Sequence, residues 1–426
     1  MLLIYFQNLY IKINGKLIVQ IFLLFTFIFL INNKKIYIKT YKEKTFLSLR
    51  KLILKLNVFA KYRQAKYILF SDFFGSRYCS DINAYSLFDY YLKNDLDEAY
   101  YIINNESELY QDLQTENKIK NLIIYNDDGI IYEKLFNYLL NSKIIIQSYV
   151  ILEFQYIVNN VPYLKYLYIN HGITYFKNNI VSPELIYLNE DKRNIISSSP
   201  YEYNIFINKF NYSSKYIYKA GLPRYEMYQN IEFKESEKDC ILISFTYRSY
   251  NSTYYENSLY RQNIIKLLED DSLITFLQEN NIELIYAPHH NELSLRQNCN
   301  HTNFKYAKLA GQKELTKYIK KCSLLITDFS SISFAFMYQF KPILFYLIDY
   351  NETFSVKEHK CMDPNNKLYF GNVFFEQDLL INQIKKYSNQ KFKIDKNLTN
   401  DYKSVFYLRK NICKRISKII SKIVNR

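Results

Sequence analysis

A chain of 426 residues that is 49% apolar and 23% charged is long for one ordinary core and too apolar for a disordered protein, so two folded domains are expected. Its formal charge of +15 is unevenly placed: residues 1–66 carry +12, residues 401–426 carry +7, and the body between them is about −4. A nucleic-acid reader lines its own groove with positive charge, so this distribution argues against nucleic acid as a partner and for an anionic membrane surface met by the two ends.

Residues 17–31, LIVQIFLLFTFIFLI, are almost wholly apolar but fall short of the roughly 20 residues that span a bilayer. No small-residue cleavage site follows, which argues against a secretory signal. Lys34, Lys35 and Lys39 follow the run and only Lys12 and Lys16 precede it, so a spanning segment would leave the body in the cytoplasm. A buried core helix or a strand pair is the alternative. Residues 1–64 are read as a hydrophobic, basic segment that associates with the membrane, and the protein is expected at the cytoplasmic face of the cell membrane, peripheral or N-terminally anchored.

In the body, short apolar runs alternate with helical patterns. KYILF (66–70), NLIIY (121–125), KIIIQ (143–147) and LKYLYIN (164–170) read as buried strands, and CILISF (240–245), IELIYAP (282–288), SLLIT (323–327) and PILFY (342–346) form a second set. Segments 84–93, 131–141, 259–269, 312–321 and 332–340 read as helices between them. This alternation predicts an α/β protein with two doubly wound, Rossmann-like domains facing a cleft, over residues 65–215 and 216–400. At the C-terminus, Val405, Leu408, Ile412, Ile416, Ile419 and Ile423 recur at helical steps, with Arg409, Lys410, Lys414, Lys418 and Lys422 on other faces. Residues 401–426 are therefore expected as a basic amphipathic helix, lying on anionic lipid or docked on a domain.

Seven glycines and no G-x-G-x-x-G or G-x-x-x-x-G-K-[ST] disfavour dinucleotide enzymes and P-loop hydrolases. Six scattered cysteines suggest neither a disulfide framework nor a zinc site, and five histidines give a divalent metal no support. Chemistry is instead concentrated at strand ends, where open α/β sheets bind ligands. LKYLYIN leads into His171, Gly172 and Thr174, with Lys177 further on; a histidine there suits proton transfer because its pKa lies near neutrality. CILISF leads into Thr246, Tyr247 and Arg248, IELIYAP into His289 and His290, and SLLIT into Asp328, Ser330, Ser331 and a helix. Either serine alone could be a helix cap. Together the three ends form a candidate diphosphate site.

The ordered series His171-Gly172, Gly221-Leu222-Pro223-Arg224, Phe245-Thr246-Tyr247-Arg248, Pro288-His289, Thr327-Asp328-Phe329-Ser330-Ser331, Lys341-Pro342 and Asp349 resembles the CDP-glycerol glycerophosphotransferase family over roughly residues 65–390. The resemblance implies a GT-B-like fold, membrane association and transfer of glycerol phosphate from CDP-glycerol with release of CMP. It implies His171 as general base and His289 as a second catalytic histidine near the donor diphosphate. It places Arg248, Thr327, Ser330 and Ser331 on the donor phosphates, and Gly172, Arg224, Glu226, Asp328 and Asp349 as further cleft candidates. Upstream, Gly75, Arg77, Asp81 and Asn83 are implied on the acceptor side. Four positions depart from the family pattern: Ile173 stands for threonine, Glu226 for aspartate, Tyr247 for tryptophan, and Ala335 for an aspartate that would add a cleft carboxylate.

The expected protein is thus a transferase acting on a nucleotide-linked donor and on a lipid-linked glycan or polyol phosphate acceptor in teichoic-acid, capsule or lipopolysaccharide synthesis. No cofactor is expected beyond CDP-glycerol as donor substrate. The alternatives are a GT-B glycosyltransferase using a nucleotide sugar, and a non-catalytic basic protein binding membrane or nucleic acid through its ends.

Overall fold

The computed structural model describes residues 65–72, 82–125, 133–149, 152–173, 185, 188–228, 238–248, 258–289, 292, 304–310, 312–351 and 369–426. The expectations for residues 1–64 and for Gly75, Arg77, Asp81, Thr174, Lys177 and His290 lie outside them. Residues 63–426 form one compact unit.

The first sheet contains β1 (Tyr67–Ser71), β2 (Ala99–Asn104), β3 (Leu122–Tyr125), β4 (Ser142–Gln147), β5 (Lys165–Tyr168), β6 (Asn194–Ser197) and β7 (Ile217–Lys219), in the order β3-β2-β1-β4-β5-β6-β7. Its helices are α1 (Asn83–Lys93), α2 (Glu108–Thr115), α3 (Glu133–Leu140), α4 (Leu152–Asn160) and α5 (Pro200–Asn208). The second sheet contains β8 (Cys240–Ile243), β9 (Glu283–Tyr286), β10 (Lys308–Leu309), β11 (Leu324–Thr327), β12 (Ile343–Tyr346) and β13 (Asn372–Phe374), in the order β10-β9-β8-β11-β12-β13. Its helices are α6 (Leu259–Leu268), α7 (Asp271–Glu279), α8 (Gln312–Lys321), α9 (Ser333–Tyr338) and α10 (Gln377–Asn389). The pairings are parallel, and each sheet reverses direction beside its first strand, β1/β4 in one and β8/β11 in the other. Such switch points open crevices at the strand ends. The first sheet runs to Lys219, past the expected boundary at 215, because Ile217–Lys219 pairs with β6.

The C-terminal chain corrects the expected single helix. It forms α11 (Lys396–Val405), then a break in which Asn411 adopts a left-handed φ of 56°, then α12 (Ile412–Val424). Ile412, Ile416, Ile419, Ile420 and Ile423 are buried, and α12 packs against α1, β4, β5 and the 3₁₀ turn Pro223–Tyr228. The apolar stripe is therefore used by the fold, and the basic residues Lys414, Lys418 and Lys422 stay exposed behind it. Arg409 is not part of that basic face. Its guanidinium donates to the carbonyls of Tyr402 at 2.9 Å, Met337 at 2.8 Å and Tyr338, closing the C-terminal ends of α11 and α9. It stacks on Phe340, Tyr338 and Phe406, and burial lowers its pKa to about 10. Buried Lys192 and Lys341 do the same for α4 and α8, donating to Val161 at 2.8 Å and to Ile319 at 3.0 Å; burial lowers their pKa values to about 8 and about 7. Cations at helix C-termini satisfy carbonyls that have no partner within the helix.

Cys240 and Cys322, 82 residues apart, are brought side by side with Cα atoms 4.3 Å apart. Their strands β8 and β11 are neighbours, a proximity that linear spacing hides. No helix among the described residues is long and apolar enough to cross a membrane.

Replacing Arg409 with methionine keeps the stem and removes the donors from three carbonyls. Unsatisfied buried groups cost about 1–3 kcal/mol. The variant should unfold at lower urea than the parent, and an unchanged midpoint would contradict the role assigned to this guanidinium.

Candidate functional site

The crevice of the first sheet is organised by Asp72, which follows β1 and is buried. Its carboxylate accepts from the backbone N–H groups of Ala84 (2.8 Å) and Tyr85 (2.9 Å) at the start of α1, from Tyr101 Oη (2.8 Å) on β2, and from Ser148 Oγ (2.6 Å) after β4. Burial pushes its pKa up to about 6 against the pull of those four donors. Asn83, the first residue of α1, is also fully buried. Its amide donates to the carbonyls of Asn170 (3.1 Å) and His171 (3.2 Å), and its oxygen accepts from Arg224 N (3.2 Å). One side chain thus ties the His171 loop to the Gly221–Arg224 turn. The resemblance placed Asn83 on the acceptor; the structure gives it a buried structural position instead, with its donor and acceptor atoms bound to backbone.

His171 is exposed at the end of the β5 loop. Asn170 before it has a left-handed φ of 56°, and its Oδ1 accepts from His171 N at 2.8 Å. Asn170 Nδ2 donates to buried Glu202, which also accepts from Ser198 N at 2.9 Å. The ring of Tyr149 stacks on the imidazole, with centroids 4.5 Å apart and planes at 18°. Sequence reasoning did not single out Tyr149, Asn170 or Glu202, and placed Asp72 only in an acceptor-side loop. The one available signal was Ser71-Asp72 directly after a strand.

The two sheets meet at Gly172. A Cβ placed there would stand 3.5 Å from Ser331 Oγ and 3.7 Å from Arg224 Nη2. The residue after His171, the turn between the domains and the loop after β11 therefore line one slot, in which a Cβ would make ordinary van der Waals contact. Gly221 serves a different approach: a Cβ on it would meet Ile412 Cδ1 at 2.7 Å and Leu408 O at 3.2 Å.

At the ends of the second sheet, Asp328 accepts from Thr246 N (2.9 Å) and Thr246 Oγ1 (2.8 Å), and Thr327 Oγ1 donates to Ser244 O (2.6 Å). Arg248 is 1% exposed. It makes a bidentate pair with Asp349 (2.8 and 2.7 Å), an ion pair with Asp328 (2.9 Å) and a bond to Thr246 O (2.7 Å), between the rings of Tyr260 and Phe329. Burial alone would lower its pKa; the two aspartates outweigh that and hold it above the ordinary range. Arg248, Asp328 and Asp349 thus bind one another, and Thr327 binds Ser244 O, so these candidates form a buried set that holds the strand ends together. Tyr247 remains half-buried, stacked on the His289 ring at 5.1 Å and 26°.

Ser330 and Ser331 are the accessible polar groups of this end. Among the described residues neither hydroxyl is engaged by another protein group, whereas their carbonyls accept from Ser333 N (3.2 Å) and Phe334 N (3.2 Å) as α9 begins. The helix spans six residues, shorter than the expected 332–340, so the turn's own donors matter more than any dipole. Two other candidates leave the cleft. Glu226 accepts from Ile412 N and so caps α12. Ala335 is buried in the apolar core, so this position offers no place for a cleft carboxylate. Among the described residues no group of three or more His, Cys, Asp or Glu is placed to hold a metal ion.

Two parallel α/β sheets thus bring a histidine loop from one against a serine turn from the other. The chain belongs to the CDP-glycerol:poly(glycerophosphate) glycerophosphotransferase family, whose pattern it matches over residues 53–422. It is similar to the minor teichoic acid biosynthesis protein GgaB of Bacillus subtilis (strain 168), 26% identical over 259 residues, which cover 56% of this chain and 28% of GgaB. It is also similar to the teichoic acid glycerol-phosphate primase of the same organism, 24% identical over 212 residues, covering 47% of this chain and 51% of the primase. The chain thus spans about half or less of the length of these relatives. In fold it is similar to the wall teichoic acid polymerase TagF, with a TM-score of 0.61 at 15% identity, covering 91% of this chain and 99% of that one.

Removing one partner of a buried ion pair costs about 3–5 kcal/mol, because the remaining charge stays buried without compensation. Arg248→Met should therefore lower the urea midpoint strongly, by about that free energy. A variant that kept its stability and lost only ligand affinity would return Arg248 to the cleft.

Proposed function

We propose that the protein transfers glycerol phosphate from CDP-glycerol to a hydroxyl of a membrane-linked glycan or poly(glycerol phosphate) and releases CMP. Family membership supports the donor class. The observation that carries the reading is the slot at Gly172, where the His171 loop, Arg224 and Ser331 converge.

In this reading the acceptor hydroxyl gives its proton to His171 as its oxygen attacks the phosphorus that bears the glycerol. The new P–O bond forms in line with the bond to CMP, which breaks and leaves its electron pair on the CMP phosphate. Phosphoryl transfer depends mainly on positioning and charge stabilisation. Arg224 and the donors of Ser330 and Ser331 supply that stabilisation, and His289, held against Tyr247, acts near the donor diphosphate as CMP leaves. Arg248 contributes by fixing the Thr246 and Asp328 loops. A general base is typically worth ~10²–10⁴-fold, so His171→Ala should reduce CMP release by that factor with CDP-glycerol and a lipid-linked polyol phosphate. An unaffected rate would remove His171 as the base. In thermal-shift measurements CDP-glycerol should stabilise the protein more than UDP- or GDP-sugars; the reverse order would favour a glycosyltransferase.

The acceptor's lipid anchor also requires a membrane surface nearby, and the exposed Lys414, Arg415, Lys418 and Lys422 of α12 suit anionic headgroups. Each basic residue near such a surface contributes about 1 kcal/mol. Converting Lys418 and Lys422 together to glutamine should weaken binding to phosphatidylserine vesicles by about 30-fold. Binding that resists both this change and added salt would point to insertion through another segment.

A further inference from the structure

We propose that Tyr149 is the positioning residue for the His171 imidazole, held in place by a closed circuit of contacts that starts at the buried carboxylate of Asp72. The inference rests on the reading of His171 as the base.

Each step of the circuit is a direct contact. Asp72 accepts from Ser148 Oγ at 2.6 Å, and Ser148 N donates to Ser71 O at 3.2 Å, so the residue before Tyr149 is fixed at both its side chain and its backbone. The same carboxylate accepts from Ala84 N at 2.8 Å, which fixes the start of α1 and with it Asn83. Asn83 donates to His171 O at 3.2 Å. The loop of the histidine and the loop of the tyrosine are therefore anchored to one buried group, and their rings face each other at 4.5 Å and 18°.

His171 is exposed, and of the staggered rotamers open to an imidazole the stack with Tyr149 favours those that keep the two rings face to face. A face-stacked ring loses that freedom while both nitrogens stay at the ring edge, outside the contact. Misplacement of a catalytic group by about 1 Å can cost ~10²-fold in rate, so the stack converts an anchored backbone into an anchored imidazole.

The test compares Tyr149→Phe with Tyr149→Leu in the full chain. Phenylalanine keeps the stacked face and should leave kcat within about twofold. Leucine should lower kcat by ~10–100-fold with little change in KM for CDP-glycerol. In parallel, the His171 Hε1 resonance, assigned by its loss in His171→Ala, should carry a ring-current shift in the parent and Tyr149→Phe and lose it in Tyr149→Leu. An unchanged resonance in Tyr149→Leu overturns the proposal whatever the activity, as does a phenylalanine variant as impaired as the leucine one. A lost shift in Tyr149→Leu, combined with full CMP release by His171→Ala, would support the positioning and overturn the base instead.

Discussion

The arrangement depends on one cation. Arg409 closes the C-terminal ends of α9 and α11 with its guanidinium, and its own carbonyl accepts from Tyr338 Oη. The chain on either side of it then crosses to the other sheet: Tyr407 N donates to Ser198 O at 3.0 Å, and Ile412 N is capped by Glu226. Helix α9 therefore has Ser330 and Ser331 at its head and the crossing chain at its tail. The rings of Tyr225, Tyr338 and Phe406 pack together at this junction. Because the crossing fixes one sheet against the other, the separation between Gly172 and Ser331 is set by packing far from the slot itself.

Much of the fold was legible where a strand is a continuous apolar run bounded by polar residues. The eight strands read from the sequence lie within one or two residues of those observed, since Val-, Ile- and Leu-rich runs buried on both faces leave few alternatives. Five strands escaped notice, among them Ala99–Asn104, a buried strand whose paired tyrosines interrupt the aliphatic run, and the three-residue Asn372–Phe374. Asn194–Ser197 and Ile217–Lys219 have three or four residues with polar ends, and Lys308–Leu309 is a two-residue edge. The terminal helix was misread because the apolar period continues from Val405 through Leu408 to Ile412, while Asn411 breaks the backbone between them. Periodicity reports which residues are buried and is blind to a change of direction that keeps the stripe in phase.

The site was legible in its location and less so in its roles. Strand-end position singled out His171 and Ser331 and the family resemblance added Arg224; the fold brings the His171 loop, at Gly172, beside the other two. It could not separate residues that face the cleft from residues that hold the loops. Arg248 is a strong phosphate candidate by type, yet its partners Asp328 and Asp349 are 80 and 101 residues away. Only the three-dimensional pairing shows that its charge is already neutralised. Glu226 and Asn83 carry the same lesson: a polar residue in a glycine-poor turn is as readily a partner for backbone as for substrate.

The distribution of buried charge then constrains how the cleft can hold a diphosphate. Arg248 is outnumbered by the two carboxylates that grip it, so this end of the second sheet presents no net positive charge from its interior. In the proposed reading an anion bound there is held by groups outside that cluster, and Ser331 and Arg224 are beside the slot. In both sheets the deep polar residues satisfy one another: Asp72 with Ser148, Tyr101 and α1, and Asp328 with Thr246 and Arg248. Such saturation fixes loop geometry without offering affinity, because a fully bonded group gains little from a ligand. In the proposed reading the ligand meets the outer layer of histidines and serines, whose positions are dictated from beneath. A substitution in the deep layer should therefore alter the shape of the site, whereas one in the outer layer alters its chemistry.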